Sequence, residues 1–238
     1  MKLICVSTGS EQGNSYLLQS ADGRYIVLDC GVSYKALEKA CGFDTWLIDF
    51  ALASHGHTDH SSGIKGLLHN GIDVYSNQEV ADKIRGVKCL KEKSAVRMCG
   101  WKVIPFIVPH THNTGEECLN YAYLIEKDGE KLLYMTDWMF CRYDLSPFNI
   151  NHFLIAINYT ELDVEEAGKK NHVLHGHSSL DTALEFLKTS MTDACKTVIA
   201  CHLSSRNADE SKIVRELTEL VPETVNVVIA KKGMTLTL

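Results

Sequence analysis

The run His55-Gly56-His57-Thr58-Asp59-His60 constrains this chain more than any other stretch. It follows the apolar segment Ile48-Asp49-Phe50-Ala51-Leu52-Ala53 and Ser54, so three imidazoles and a carboxylate leave the end of a buried strand together. Side chains alternate sides in extended chain, so His55 and His57 point the same way, whereas Asp59 and His60 are adjacent and diverge. Two ligand pairs result, His55 with His57 for one divalent ion and Asp59 with His60 for a second. Imidazole and carboxylate suit Zn²⁺ and also Mn²⁺, Ni²⁺ or Fe. A loop histidine by itself is ordinarily polar surface. Four donors this close together, spaced by the small Gly56 and Thr58, need a chemical reason.

A chain of 238 residues, 45% hydrophobic and 23% charged, has the balance of a globular protein and the length for one large core, so a single domain over 1–238 is expected. No apolar run approaches the roughly 20 residues that span a bilayer. The start Met1-Lys2-Leu3-Ile4-Cys5-Val6-Ser7 lacks a small-residue cleavage pattern and reads as a first strand, so a cytoplasmic protein with no membrane partner is expected. Nine cysteines without any Cys-x-x-Cys read as small buried hydrophobes in a reducing compartment. The net charge of −6 gives no bulk attraction to a polyanion, although bound cations would offset it locally.

Along the chain, Lys2 to Val6, Ser15 to Gln19 and Arg24 to Cys30 read as a three-stranded meander, followed by a helix at Ser33 to Cys41. Asp59 to His69 reads as one helix stopped by Asn70-Gly71, and Ile72 to Tyr75 as a strand before a helix at Asn77 to Ile84. From Ala95 to Val108 the pattern returns to strands and runs into Pro109-His110-Thr111-His112, where His110 and His112 compete as a strand-end ligand. Leu119 to Glu126 and Lys131 to Met135 form a hairpin ending at Thr136-Asp137. Further strands at Phe153 to Tyr159 and Lys196 to Cys201 alternate with helices at Glu161 to Lys170, from Leu180, and at Ala208 to Leu220. This rhythm points to helices packed on a sheet, an α/β protein. Lys169, Lys170, Lys188 and Arg206 could form a phosphate-attracting rim, and Trp138, Tyr143 and Phe148 could stack bases or pack in the core.

The pattern His-x-His-x-Asp-His resembles the signature of the metallo-β-lactamase superfamily, and the likeness extends over nearly the whole chain. It implies a four-layer αββα sandwich and two divalent ions, zinc first and manganese second. By the same resemblance the metal ligands are His55, His57, Asp59, His60, His110, Asp137 and His202. Asp137 takes the place of the carboxylate shared by both ions, and Phe106, four residues earlier, favours His110 over His112. Gly13-Asn14 and Asp29-Cys30-Gly31 match residues that support the metals from beneath.

Gly176-His177-Ser178-Ser179 with His202-Leu203-Ser204 is similar to the WalJ-type nuclease-like branch, which shares its plan with ribonuclease Z. The branch reads Gly-His-Leu-Ser-Asn there, and Glu-x-Asn-His where this chain has Ala156-Ile157-Asn158-Tyr159. The likeness implies a phosphodiesterase or nuclease in which two cations bring the pKa of water from about 15.7 towards neutrality, and the resulting hydroxide attacks. Asp59 and His177 are the expected catalytic residues, His177 as proton donor to the leaving alkoxide. The substrate partner is then a nucleic acid or a small phosphodiester, and a homodimer stays open. The alternative is hydrolysis of a thioester, lactone or β-lactam, or of a cyclic nucleotide.

Overall fold

The first strands are apolar at successive positions, and the structure, a computed structural model describing residues 1–112, 114–160 and 177–238, gives the reason. β1 (Lys2–Ser7), β2 (Ser15–Gln19) and β3 (Tyr25–Leu28) form the antiparallel meander. Tyr16, Leu18, Ile26 and Leu28 lie in the main core, Leu17 and Val27 in a second one, and all are buried. A strand covered on both faces must be hydrophobic at every position, so alternation disappears.

β4 (Ile48–Leu52), β5 (Val74–Ser76) and β6 (Lys88–Cys89) extend this sheet in parallel, and β14 (Thr235–Thr237) pairs with β1, giving the order β14-β1-β2-β3-β4-β5-β6. β7 (Val96–Met98), β8 (Trp101–Thr111), β9 (Glu117–Lys127) and β10 (Glu130–Met135) run antiparallel. β11 (His152–Ala156), β12 (Thr197–Cys201) and β13 (Asn226–Ile229) join them in parallel, completing the order β13-β12-β11-β10-β9-β8-β7. The expected turn between β9 and β10 has Asp128 and Gly129 at φ 56° and 81°, the left-handed pair that a two-residue hairpin needs.

Helices Tyr34–Ala40, Ile64–His69 and Gln78–Lys83 bury Leu37, Ile64, Leu67 and Val80 in the second core, on one side of the first sheet. Helices Leu180–Ser190 and Glu210–Leu220 bury Ala183, Phe186, Leu187, Ile213 and Leu217 in the main core. Two mixed sheets flanked by helices make the αββα sandwich. No helix among the described residues is long and apolar enough to cross a membrane.

One expectation changes, and one pair of alternatives is decided. The helix over 59–69 is two, Thr58–Ser61 and Ile64–His69. Between them Gly63 is pressed on the loop after β3: its N–H donates to the Cys30 carbonyl at 2.6 Å, and a Cβ there would lie 2.0 Å from the Val32 oxygen. Trp138 is fully buried and donates its indole N–H to the Ala156 carbonyl, so it packs the core and stacks no base. Lys188 pairs with Glu185. The polar helix expected at 161–170, with Lys169 and Lys170, and also His172 and His175, lies outside the described residues.

Candidate metal centre

The candidate ligands converge because the strands carrying them end on one rim. His55, His57, Asp59 and His60 follow β4, His110 is the penultimate residue of β8, Asp137 follows β10 and His202 follows β12. Asp29, after β3, joins them. Asp29, Asp137 and His202 have φ of 56°, 46° and 53°, the left-handed region in which a side chain costs about 1–3 kcal/mol per residue. That cost is offset locally. The Asp29 carboxylate accepts from the Ser54 N–H at 2.7 Å, the Ser54 hydroxyl at 3.0 Å, His60 Nδ1 at 2.5 Å and the Tyr134 hydroxyl at 2.5 Å. Hydrogen bonds to a charged group contribute about 1.5–3 kcal/mol each, so four of them outweigh one strained residue. Asn120 similarly donates to the Thr136 and Asp137 carbonyls at 2.8 and 2.7 Å, holding the turn that presents Asp137.

Two groups of four donors form among the described residues. His55, His57, His110 and Asp137 make the first, and Asp59, His60, Asp137 and His202 the second, with the donor atoms in each within 4.8 Å of one another. In the first, His57 Nδ1 lies 3.0 Å from both His55 Nε2 and His110 Nε2. Asp137 Oδ2 is 3.5 Å from His55 Nε2 and 3.0 Å from His60 Nε2, and Oδ1 is 3.3 Å from His202 Nε2. Asp59 Oδ2 stands 3.2 Å from His60 Nε2 and 3.4 Å from His202 Nε2. One proton can bridge only one pair of ring nitrogens, so three nitrogens and a carboxylate converging on one space fit a cation better than they fit each other. The donor set therefore suits a divalent ion in each group, with Asp137 common to both.

Electrostatics agree with that fit. Burial alone would push the Asp137 carboxyl up, but His202, His177 and His60 hold it well below the usual carboxylate range. Burial opposes ionisation of Asp59 too, and His60 and His202 hold it low. Burial pushes His55 well down, keeping its ring neutral, the form that binds metals. Burial works the same way on His60, yet Asp29, Asp137 and Asp59 together raise it well above the ordinary value. The pocket thus concentrates negative charge and invites positive charge.

His177 lies at the mouth, its Nδ1 3.2 Å from Asp137 Oδ1. It lines, with Ser10, Gly56, His57, Thr58, Asp59 and Asp137, a cleft of about 360 Å³ above the two groups. His112 stands one step back, its Nδ1 3.1 Å from His57 Nε2. Asn14 donates to Asp59 at 3.3 Å, and Gly31 passes so close to the metal loop that a Cβ would lie 1.7 Å from the Asp59 carbonyl oxygen. Cys141 is turned away, its thiol against the Tyr143 carbonyl, and burial raises its pKa. Ser54, Glu79, Asn120, Tyr134 and Asn158 support the site without having been singled out as supports in the sequence. Only Asn158 carried a signal, as the retained asparagine of the altered Glu-x-Asn-His segment.

A family profile described as the Beta-lactamase superfamily domain matches residues 24–202. Ribonuclease Z of Clostridium botulinum (strain Alaska E43 / Type E3) is 27% identical over 180 residues, 71% of this chain and 55% of that protein. The hydroxyacylglutathione hydrolase of Salmonella typhi is 29% identical over 112 residues, 46% of this chain and 43% of that protein. The chain thus spans about half the length of the curated relatives it matches. Among solved structures, the metallo-β-lactamase fold protein YhfI of Bacillus subtilis superposes with a TM-score of 0.73 at 17% identity, covering 99% of this chain and 98% of that one. Zn²⁺-bound PqqB of Methylobacterium extorquens gives 0.74 at 14% identity with full coverage of both chains, 100% each, and human tRNase Z, short form, 0.65 at 16% identity, covering 100% and 99%. The profile covers most of the chain and the sandwich is the same, so this protein belongs to the β-lactamase superfamily and has the metallo-β-lactamase fold.

Proposed function

We propose that this hydrolase is a dinuclear phosphodiesterase, most simply a nuclease, that works with two zinc ions and accepts manganese. The observation that carries the reading is the placement of Asp137: one carboxylate faces both donor groups, with Oδ2 towards His55 and His60 and Oδ1 towards His202. A shared carboxylate is what holds two cations about 3.5–4 Å apart against their repulsion. The first ion would be held by His55, His57, His110 and Asp137, the second by Asp59, His60, Asp137 and His202. When bound, such a pair supplies Lewis acidity and ionised water at neutral pH.

The remaining steps belong to the chain's own residues. Asp59, partly exposed in the cleft, accepts the Asn14 amide and is aimed at the reacting centre rather than at solvent. His177 stands over the carboxylate of Asp137 and delivers a proton to the leaving alkoxide. The similarity to ribonuclease Z over 71% of the chain supports a phosphodiester, and a nucleic acid or small phosphodiester is the proposed substrate. The shorter similarity to a hydroxyacylglutathione hydrolase, over 46% of the chain, supports a thioester as the second reading.

A panel of bis-p-nitrophenyl phosphate, single- and double-stranded nucleic acids, cyclic nucleotides, a lactone and a thioester, each with Zn²⁺ and Mn²⁺, separates the two. Hydrolysis confined to the phosphodiesters is expected, and turnover of the thioester alone would reverse the order. His177→Ala should lower kcat on esters with poor leaving groups by about 10²–10⁴-fold, the usual scale of general acid catalysis, and on bis-p-nitrophenyl phosphate far less. Equal losses on both would remove His177 as proton donor.

A further inference from the structure

Behind His57 runs a chain of polar groups. His57 Nε2 is 3.1 Å from His112 Nδ1, and His112 Nε2 is 3.1 Å from Glu79 Oε1. The same Glu79 oxygen accepts from Lys83 at 2.7 Å, and Oε2 accepts from the Leu119 N–H at 2.9 Å. Three elements meet here: the metal loop, the end of β8 with the start of β9, and the helix Gln78–Lys83. The His112 and Glu79 side chains are 24% and 22% exposed, which shields the contact from most of the solvent.

With a neutral His112, proton bookkeeping along this chain has one solution. A carboxylate only accepts, and Glu79 is held ionised, against its burial, by Lys83 and the Leu119 amide. His112 Nε2 must then carry the hydrogen. A neutral imidazole has one N–H, so His112 Nδ1 is a bare acceptor, and His57 Nε2 must donate to it. That leaves the lone pair of His57 on Nδ1, the atom 3.0 Å from both His55 Nε2 and His110 Nε2. A rival use of the same residues is a third ion held by His57, His112 and Cys118, whose donor atoms also lie within 4.8 Å. The hydrogen-bond geometry already occupies both His112 nitrogens, Nδ1 with His57 and Nε2 with Glu79.

We infer that His112 and Glu79 are positioning residues, a relay that fixes the tautomer and ring plane of His57 so that its Nδ1 lone pair faces the first ion. The inference rests on the reading of His57 as a ligand in the proposed function. Outer partners of this kind contribute about 10–100-fold in metal affinity.

The test uses the full chain with Zn²⁺ as the probe, in competition with a chelator, beside long-range ¹H–¹⁵N NMR of the metal-free protein. His112→Ala should weaken the tighter Zn²⁺ step by about 10–100-fold without lowering the melting temperature appreciably. In His112→Asn the amide oxygen replaces Nδ1 as acceptor, and affinity should return to within a few-fold of the wild type. In the metal-free wild type the His57 proton should sit on Nε2 and exchange slowly with solvent, and the slow exchange should vanish in His112→Ala. Wild-type affinity in His112→Ala, no rescue by Asn, or a His57 proton on Nδ1 would each overturn the relay. Two Zn²⁺ steps plus a third that is lost in Cys118→Ser would overturn it in favour of the rival site. A wild type that binds no Zn²⁺ would refute the metal reading instead, and the NMR signature would still decide the relay.

Discussion

The two donor groups share Asp137 but are prepared for a cation differently. In the first, the outward nitrogens of His55 and His57 lead to acceptors: His55 Nδ1 is 2.9 Å from the Ser54 hydroxyl, itself a donor to Asp29, and His57 leads to His112. Each such acceptor keeps a proton on the outer nitrogen and a lone pair on the inner one. In the second group His60 follows the same rule through Asp29, but His202 does not. Its Nδ1 is 3.0 Å from the Asn158 amide nitrogen, a donor. That amide cannot turn over cheaply, because it also donates to the His202 carbonyl at 3.1 Å and its oxygen accepts from the Ser178 N–H at 3.2 Å. A neutral His202 therefore keeps its proton on Nε2, between Asp59 and Asp137. Concentrated negative charge draws a cation to a pocket, whereas hydrogen-bond polarity one layer out decides whether the lone pairs are ready for it. The first ion should bind more tightly than the second.

The largest effect is expected where the groups meet. Asp137→Ala removes the shared carboxylate, so both ions should be lost together and kcat/KM should fall by at least about 10²–10³-fold, the scale of deleting one preorganised electrostatic contact. Retention of one tightly held ion would show that the first group is complete without it. Asp29→Asn keeps the shape but removes the charge that organises His60, Ser54 and Tyr134. Losing one charged hydrogen bond, about 1.5–3 kcal/mol, should lower the melting temperature of a chain this size by roughly 3–12 °C, read by calorimetry. Asp59→Ala touches only the second group and should leave about one ion per chain, with turnover abolished. Asn158→Asp is the finest probe. An acceptor facing His202 Nδ1 should tighten the second ion, at the low end of the ~10–100-fold contributed by such partners, because the bond to the His202 carbonyl is lost. A weaker second ion would break the comparison.

The sequence made the first group and the strand ends legible because both are local. Four donors in one loop and apolar runs ending in Asp or His carry their meaning in adjacent residues. His110 and His112 could not be separated that way, since residues two apart on a strand share a face. Depth separates them: His110 is buried beside Asp137 at 3.9 Å, and His112 lies at the strand end against Glu79. The break of the helix at Gly63 was invisible because its cause, the carbonyls of Cys30 and Val32, lies about thirty residues away in sequence. The left-handed turns at Asp29, Asp137 and His202 were hidden for the same reason, being fixed by partners such as Tyr134, Asn120 and Thr8. Gly31 and Gly63 mark where two backbones touch.

Elemental analysis of the purified chain, run in parallel with hydrolysis of bis-p-nitrophenyl phosphate, bears most directly on the convergence of these strand ends around a pair of cations. About two ions per chain are expected, released in two separable steps by a chelator, with turnover lost and then restored on adding Zn²⁺ back. A chain freed of metal that still hydrolyses the ester at an undiminished rate would contradict the assignment.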